Sequence, residues 1–423
     1  VGELNRMRFD PPARARVAFQ LDPAKPEQQD VTLRLDAQSA YLRGADFDAV
    51  RAEVRIRGRD LDLAEATFGL GTRRCHLAGR LNLATRVLEG RLYSDLPPTQ
   101  WIAMVPLTWQ DHLRAAGLEI TGSLRSELWT GPVRLEDAAN ALGGWVSVEK
   151  GSLRGAWLER AYVTVQVTSN AVNFTDLSAE VGRGSGRGPV EGSVVWHRDT
   201  GLLVGDVRAE FDPRELLPLA TTNQARVLRR FDFPGPPPRF EGRISCVVSQ
   251  GAHVVVEGRV TATNYQYRGV DIATLAATIH HSNDVVTLRP ITFSRSEGST
   301  TGWLVMDFNT HLYTADIEST MHPHAIAGLV GPRLLRILSR WTFEGPTHVV
   351  ARGVVDGENV DDRTDLWVDA DGERAGRGPW RADRFAFRLH ADHGHYLSTN
   401  VSGTAYGGTF AATVEVPPGE GTD

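Results

Sequence analysis

An apolar-Arg-Gly step recurs along the chain at Leu42-Arg43-Gly44, Leu153-Arg154-Gly155 and Tyr267-Arg268-Gly269, with a degenerate fourth copy at Trp380-Arg381-Ala382. The copies start 111, 114 and 113 residues apart. A fixed period constrains the fold more than any single motif, because each copy must build the same supersecondary unit. Runs of alternating apolar and polar residues follow the first three anchors. They cover residues 52–57, 61–63, 77–83 and 88–92; then 162–167, 172–181, 190–196 and 202–211; then 275–280, 285–293, 302–308 and 313–317. Alternation with β-branched enrichment predicts strands with one aliphatic face, and the Gly and Asx turns between runs predict short hairpins.

Each unit closes on a helical interruption, expected over residues 98–116, 212–230 and 323–340. Asp212-Pro213-Arg214-Glu215 has an N-cap, a proline at the first helical position and an acid in the first turn. Leu334, Leu335 and Leu338 form an apolar stripe in the third. Segments resembling helix ends fall near residues 9, 117, 232 and 343, at intervals of 108, 115 and 111. The second marker agrees with the first. The predicted divisions are a tail of a preceding repeat (1–12), repeats at 13–122, 123–242 and 243–346, and a partial repeat at 347–423. The predicted fold class is mostly β: repeated antiparallel β-meanders stacked into an elongated curved sheet or groove, with one short helix per unit. No long linker separates the units, and the acid-bearing stretch 353–378 is expected to be a surface insertion.

One helix about 10–12 Å wide cannot cover five or six strands spaced about 4.8 Å apart. The rest of the apolar face must curl on itself, meet a partner or hold a ligand. The candidate lining positions are Val31, Leu33, Leu35, Val54, Ile56, Val163, Val165, Val167, Val254, Val256, Val260, Phe385, Phe387 and Leu389. A trough of such residues suits an acyl chain, since each buried CH₂ contributes ~0.8 kcal/mol.

The meander pattern resembles the AsmA-like proteins and the translocation and assembly module subunit of Gram-negative envelopes, within the repeating β-groove or bridge-like lipid transfer superfamily. Ser152-Leu153-Arg154-Gly155-Ala156-Trp157-Leu158 is similar to that family's recurring G-x-L-x-G-x-x-L turn, and Leu77-Ala78-Gly79-Arg80-Leu81-Asn82-Leu83 to its G-x-L-x-L strand. The resemblance implies a periplasmic protein anchored in the inner membrane, conducting phospholipid or another acyl lipid along the groove, with no catalytic residues. It also implies an outer-membrane β-protein as a possible partner. This chain departs from the pattern in helices longer than a simple crossing requires. The alternative expectation is a structural scaffold for outer-membrane assembly, with a closed β core and no lipid conduit.

The remaining chemistry is sparse. His390, His393 and His395, with Asp392, form the one metal-like cluster, but alternation on a strand puts His390 on the face opposite the other two. No metal or cofactor is expected. His280-His281 and His322-Pro323-His324 are expected to be surface or loop histidines. The acidic runs 356–362 and 369–373 lack the glycine position of a calcium loop and are expected to be solvated turns. Gly182 to Gly188 joins two strands and contains no phosphate-loop motif, so a hairpin tip is expected. Trp101, Trp109, Trp157 and Trp341 are expected in core packing.

The charge balance is 46 basic to 52 acidic residues, a net −6, which does not favour nucleic acid. Two cysteines, Cys75 and Cys246, make no disulfide framework. The longest uncharged stretch, residues 96–110, is shorter than a membrane helix needs. The chain opens inside a motif (Leu4-Asn5-Arg6-Met7-Arg8-Phe9), so it is expected to be a piece of a longer protein whose anchor lies outside it.

Overall fold

The structure, a computed structural model, describes residues 7–20, 24, 29–42, 44–104, 110, 117–247, 254–330, 335–336, 338–357 and 363–417. It is mostly β, 68% strand and 11% helix, and 26 strands belong to a long antiparallel sheet. Three short strands, Met7–Phe9, Ala40–Leu42 and Ala45–Phe47, form a separate small sheet. The chain divides into two compact units, residues 1–206 with 247–250, and residues 207–246 with 251–423.

In the first unit, strands from Arg14–Gln20 to Gly188–His197 pair antiparallel, each with the next in the ladder. Residues opposite one another share a face. One such row runs from Ala15 through Leu35, Ala66, Leu92, Leu128 and Val165 to Val194. The second unit repeats the pattern from Arg239–Val247 to Gly408–Val416. Its matching row runs from Phe240 through Val260, Ile291, Ile317, Val368 and Leu389 to Val414.

The opposite face carries cross-strand ion pairs. In the first unit these include Arg34–Glu53 at 2.9 Å, Arg80–Asp62 at 2.7 Å and Arg160–Glu180 at 2.9 Å. In the second they include Arg352–Asp316 at 3.0 Å and Arg388–Asp369 at 2.6 Å. Exposed pairs of this kind contribute at most about 1 kcal/mol each. Their structural consequence is register: a one-residue slip would put every charge on the apolar face.

The apolar-Arg-Gly anchors are two-residue hairpin turns. Leu153 pairs with Ala156 and Tyr267 with Val270. The intervening Arg154 (φ 47°) and Gly155 (φ 88°), like Arg268 (φ 52°) and Gly269 (φ 75°), both take positive φ, as a type I′ turn requires. Leu42 pairs with Ala45 in the same way, and Arg43 between them lies outside the described residues. The fourth copy differs from expectation. Trp380-Arg381-Ala382 lies inside strand Trp380–Asp392, and the corresponding turn is Gly378-Pro379, because Arg377 pairs with Trp380. Gly269→Ala is expected to cost about 1–2 kcal/mol, since an ideal Cβ there meets nothing within 4 Å and only the left-handed backbone penalty remains. Thermal unfolding checks this, and Gly269→Asn should recover part of the loss.

A second periodic feature is a β-bulge. Register shifts fall between Leu63 and Ala66, Phe174 and Leu177, Leu288 and Ile291, and Ser398 and Val401, at intervals of 111, 114 and 110 residues. Bulges bend a strand and increase its twist, so each repeat introduces curvature at the same place.

The described residues carry helix inside each of the three expected interruptions. The first helix, α1, is Pro98–Met104, and residues 105–109 and 111–116 lie outside the described set, with Trp109 among them. The second interruption splits: a 3-10 turn, Pro213–Leu219, contains Pro218, and α2 starts afresh at Thr222–Leu228. Proline has no N–H to give and blocks continuation. The Asp212 cap is present, its side chain accepting from the Arg214 N–H at 2.9 Å. The third helix, α3, is Pro323–Val330, while Leu334 lies outside the described residues. The stretch 353–378 is no insertion. Thr347–Asp356 and Asp365–Arg377 are paired strands of the sheet, with residues 358–362 outside the description. Leu366, Val368 and Ala370 alternate there with Trp367, Asp369 and Asp371, a period hidden by the density of acids.

Two cores sit against the sheet. In the first unit, Phe47, Val50, Cys75, Leu96 and Ala103 cluster where the small sheet and α1 meet the strands. In the second, Ala262, Tyr265, Ile272 and Met321 cluster with Ala325, Ile326 and Leu329 of α3. Both lie near apolar-Arg-Gly turns, and most of the apolar rows extend beyond them.

Candidate functional site

The expected lining residues fall on the apolar face of each unit, but with unequal cover. In the first unit Val31, Leu35, Val54, Ile56, Val163 and Val165 are half-buried, and Leu33 is exposed. Val167 is the exception: at 2% exposure it is packed shut and is no lining residue. In the second unit Val256, Val260, Phe385, Phe387 and Leu389 are half-buried and Val254 is exposed. Beyond the cores the apolar rows are only partly covered by protein.

In the second unit α2, inside the helical interruption expected over residues 212–230, forms a strap. Gln224 donates to the Asp284 carboxylate at 2.6 Å and lies 3.3 Å from the His281 ring, while Asn223 donates to the Phe308 carbonyl at 3.0 Å. Six residues later, the Arg230 carbonyl accepts from the Arg268 N–H at 2.8 Å, and Phe231 pairs with Tyr267. These contacts grip both ends of strand Val270–Ser282. A straight strand of that length spans about 40 Å. The path through the helix and its hydrogen bonds is under about 30 Å. The strand is therefore arched, with α2 across the arch. A local signal does exist: Thr221 and Gln224 form a capping box, which is the S/T-x-x-E/Q start of a helix.

The polar candidates disperse. Among the described residues no three His, Cys, Asp or Glu side chains converge as metal ligands. His393 and Gly394 occupy a hairpin turn, with Asp392 paired to His395. His390 is 2.9 Å from Asp365 and stacks on Trp367 at 4.0 Å, His395 is 2.9 Å from Glu415, and His393 contacts Asp392. Each ring thus holds a different carboxylate. Asp369 and Asp371 are strand residues, so the solvated-turn reading fails for them. Gly184–Gly186 is a short 3-10 turn between two strands, as expected of a hairpin tip. Trp341 is 38% exposed under Arg377, and Trp157 is half-buried under Arg183; neither is core. Half-buried Trp101 donates to Ser126 at 2.7 Å.

No family model matches the chain, and no curated protein or solved structure is significantly similar to it. The site must speak through its own geometry.

On the charged face, His348 bridges Glu318 at 2.9 Å and Asp371 at 3.2 Å. The Glu318 hydrogen bond, followed by that of Asp371, raises the imidazole pKa above 6.5. A raised folded-state pKa means that the stabilisation is complete below about pH 6.5 and lost as pH rises through the folded value. His348→Gln should therefore lower stability in mildly acid solution and converge on the parent protein at alkaline pH. Urea titrations across pH would read this directly.

Proposed function

We propose that this is a non-enzymatic envelope protein segment whose apolar sheet face binds lipid acyl chains and conducts phospholipid between membranes. The observation that carries the reading is the partly uncovered apolar row crossing eleven strands in each unit, backed by an ion-paired face. Such a surface is unfavourable in water unless something apolar covers it. An acyl chain fits a row that offers aliphatic contacts without fixed polar partners. Chains would slide along the row while headgroups stay hydrated at its rim, which requires no catalytic group and no cofactor. Likeness in meander pattern to AsmA-like proteins supports a periplasmic setting, with membrane attachment through an anchor outside this chain.

Native mass spectrometry after extraction from membranes tests the reading, together with a photoprobe placed at Val165 or Val256. Co-purifying phospholipid crosslinked at either position is expected. Absence of both bound lipid and crosslink overturns it.

A scaffold reading draws on a different observation. Strand Arg14–Gln20 pairs on one side alone among the described residues, and every residue in it is exposed, with Val17 at 58% and Phe19 at 68%. Such an edge can accept a further strand from another β-protein. A protein free of lipid that captures a β-strand partner through this edge would favour it.

A further inference from the structure

Because the antiparallel strands of the second unit alternate in direction, its hairpin turns fall at two rims. Turns at residues 268–269, 378–379 and 406–407 share one rim, and those at 283–284, 308–311 and 393–394 share the other. The second rim carries acids at or beside its turns: Asp284, Asp307 and Asp392. At the first, Glu297 is paired with Arg295 at 2.5 Å, while Arg377 and Arg381 hold no carboxylate among the described residues. Arg377 instead lies 5.6 Å over the Trp341 ring, and Arg381 Nη1 donates to the Gly378 and Trp380 carbonyls at 2.7 and 2.9 Å. This differs from the charged face of the same strands, where Arg388 and Arg352 are ion-paired.

Three exposed aromatic rings stand beside these two cations: Trp341 at 38%, Trp380 at 59% and Tyr406 at 73%. Their exposure is built in. The Tyr406 hydroxyl donates to the Pro379 carbonyl at 2.7 Å and accepts from the Arg381 N–H at 3.1 Å, tying the two turns together. Trp380 stands edge-on to Phe410 at 6.3 Å and is the cross-strand partner of Arg377. Trp341, Arg377, Trp380, Arg381 and Tyr406 therefore form one continuous strip.

Pinned aromatic rings left in water mark a contact surface. Hairpin tips present an edge rather than a cleft, which suits an extended, deformable partner. Trp and Tyr rings settle at the headgroup level of a bilayer, and arginines beside them meet anionic lipid. The chain's net charge of −6 opposes such a surface at long range, so the cationic rim must be the side that meets it.

We propose that this strip is a membrane-surface contact, which seats the rim of the second unit among the headgroups of an anionic bilayer. The contact does not depend on the acyl-chain reading of the apolar face.

Flotation of the full chain with vesicles of phosphatidylcholine, with and without phosphatidylglycerol, tests it. The parent protein should float with the anionic vesicles and much less with the neutral ones. Trp380→Ala should weaken partitioning about tenfold, the usual effect of losing a buried aromatic contact. Arg377→Gln and Arg381→Gln should each weaken it about fivefold, and they decide alone if Trp380→Ala fails to fold. Two controls lie on the charged face of the same hairpin and should change nothing. Trp367→Ala removes a 46% exposed ring stacked on His390, and Arg388→Gln removes a cation held by Asp369. The contact is overturned if the parent protein ignores anionic vesicles, if it partitions equally into neutral ones, or if the controls lose as much as the rim variants. Ile279→Glu on the apolar face separates the two ideas: it should leave flotation unchanged. Flotation lost in Ile279→Glu and kept in Trp380→Ala overturns the rim. A lipid crosslink at Val256 without flotation also overturns it, and leaves the acyl-chain path standing.

Discussion

Ile279→Glu is expected to strip the protein of bound lipid, while Thr278→Glu, one residue away, leaves lipid binding intact. The two positions share strand Val270–Ser282 and face opposite ways. Half-buried Ile279 lies between Gly258 and Leu288 on the apolar face, whereas exposed Thr278 is opposite Arg259 on the charged one. A carboxylate inside an acyl-lined path must be desolvated or displace the chain. Losing contact with four methylenes alone removes about 3 kcal/mol, roughly a hundredfold in affinity. The fold should tolerate Ile279→Glu because the side chain is already partly wet and the backbone ladder is untouched. The readout is phospholipid per protein by mass spectrometry, with far-ultraviolet circular dichroism showing both variants folded. Equal lipid retention by both variants would remove the apolar face from the mechanism.

Phe47→Ala is expected to destabilise the first unit by about 3–5 kcal/mol, the usual cost of deleting a fully buried aromatic side chain. Phe47 is 1% exposed and meets Phe68 edge-on at 5.7 Å. Val50, Cys75 and Leu96 complete its surroundings, and such a cluster cannot collapse without moving the small sheet or α1. By contrast, Val17→Ala, at a side chain 58% exposed, should cost no more than about 0.5 kcal/mol. Urea unfolding of the two variants measures how local the core is. If they behaved alike, the apolar face would have to be covered throughout, as a closed scaffold requires.

Strand identity and facing were legible because period-2 alternation survives in most of the sheet. The positions of Val54, Val165 and Leu389 on their faces followed from it. The bulges were not legible, since two residues opposite one change the count only after the partner strand is known. The strap's helix was expected to start too early, because Asp212-Pro213 presents a stronger helix start than Thr221 and Pro218 breaks the helix that this start predicts. The acids around Asp369 masked a strand whose inner residues are Leu366, Val368 and Ala370.

By itself the sequence determined the repeat, the strand period, and which residues share a face, because these depend on local backbone geometry and on where a hairpin turn can form. Which part of the apolar face is covered was decided only by tertiary structure. Cover depends on how far each strand arches and on where a short helix crosses it. The same alternation that buries Phe47 leaves Leu33 and Val254 in solvent, and no property of the local sequence distinguishes them.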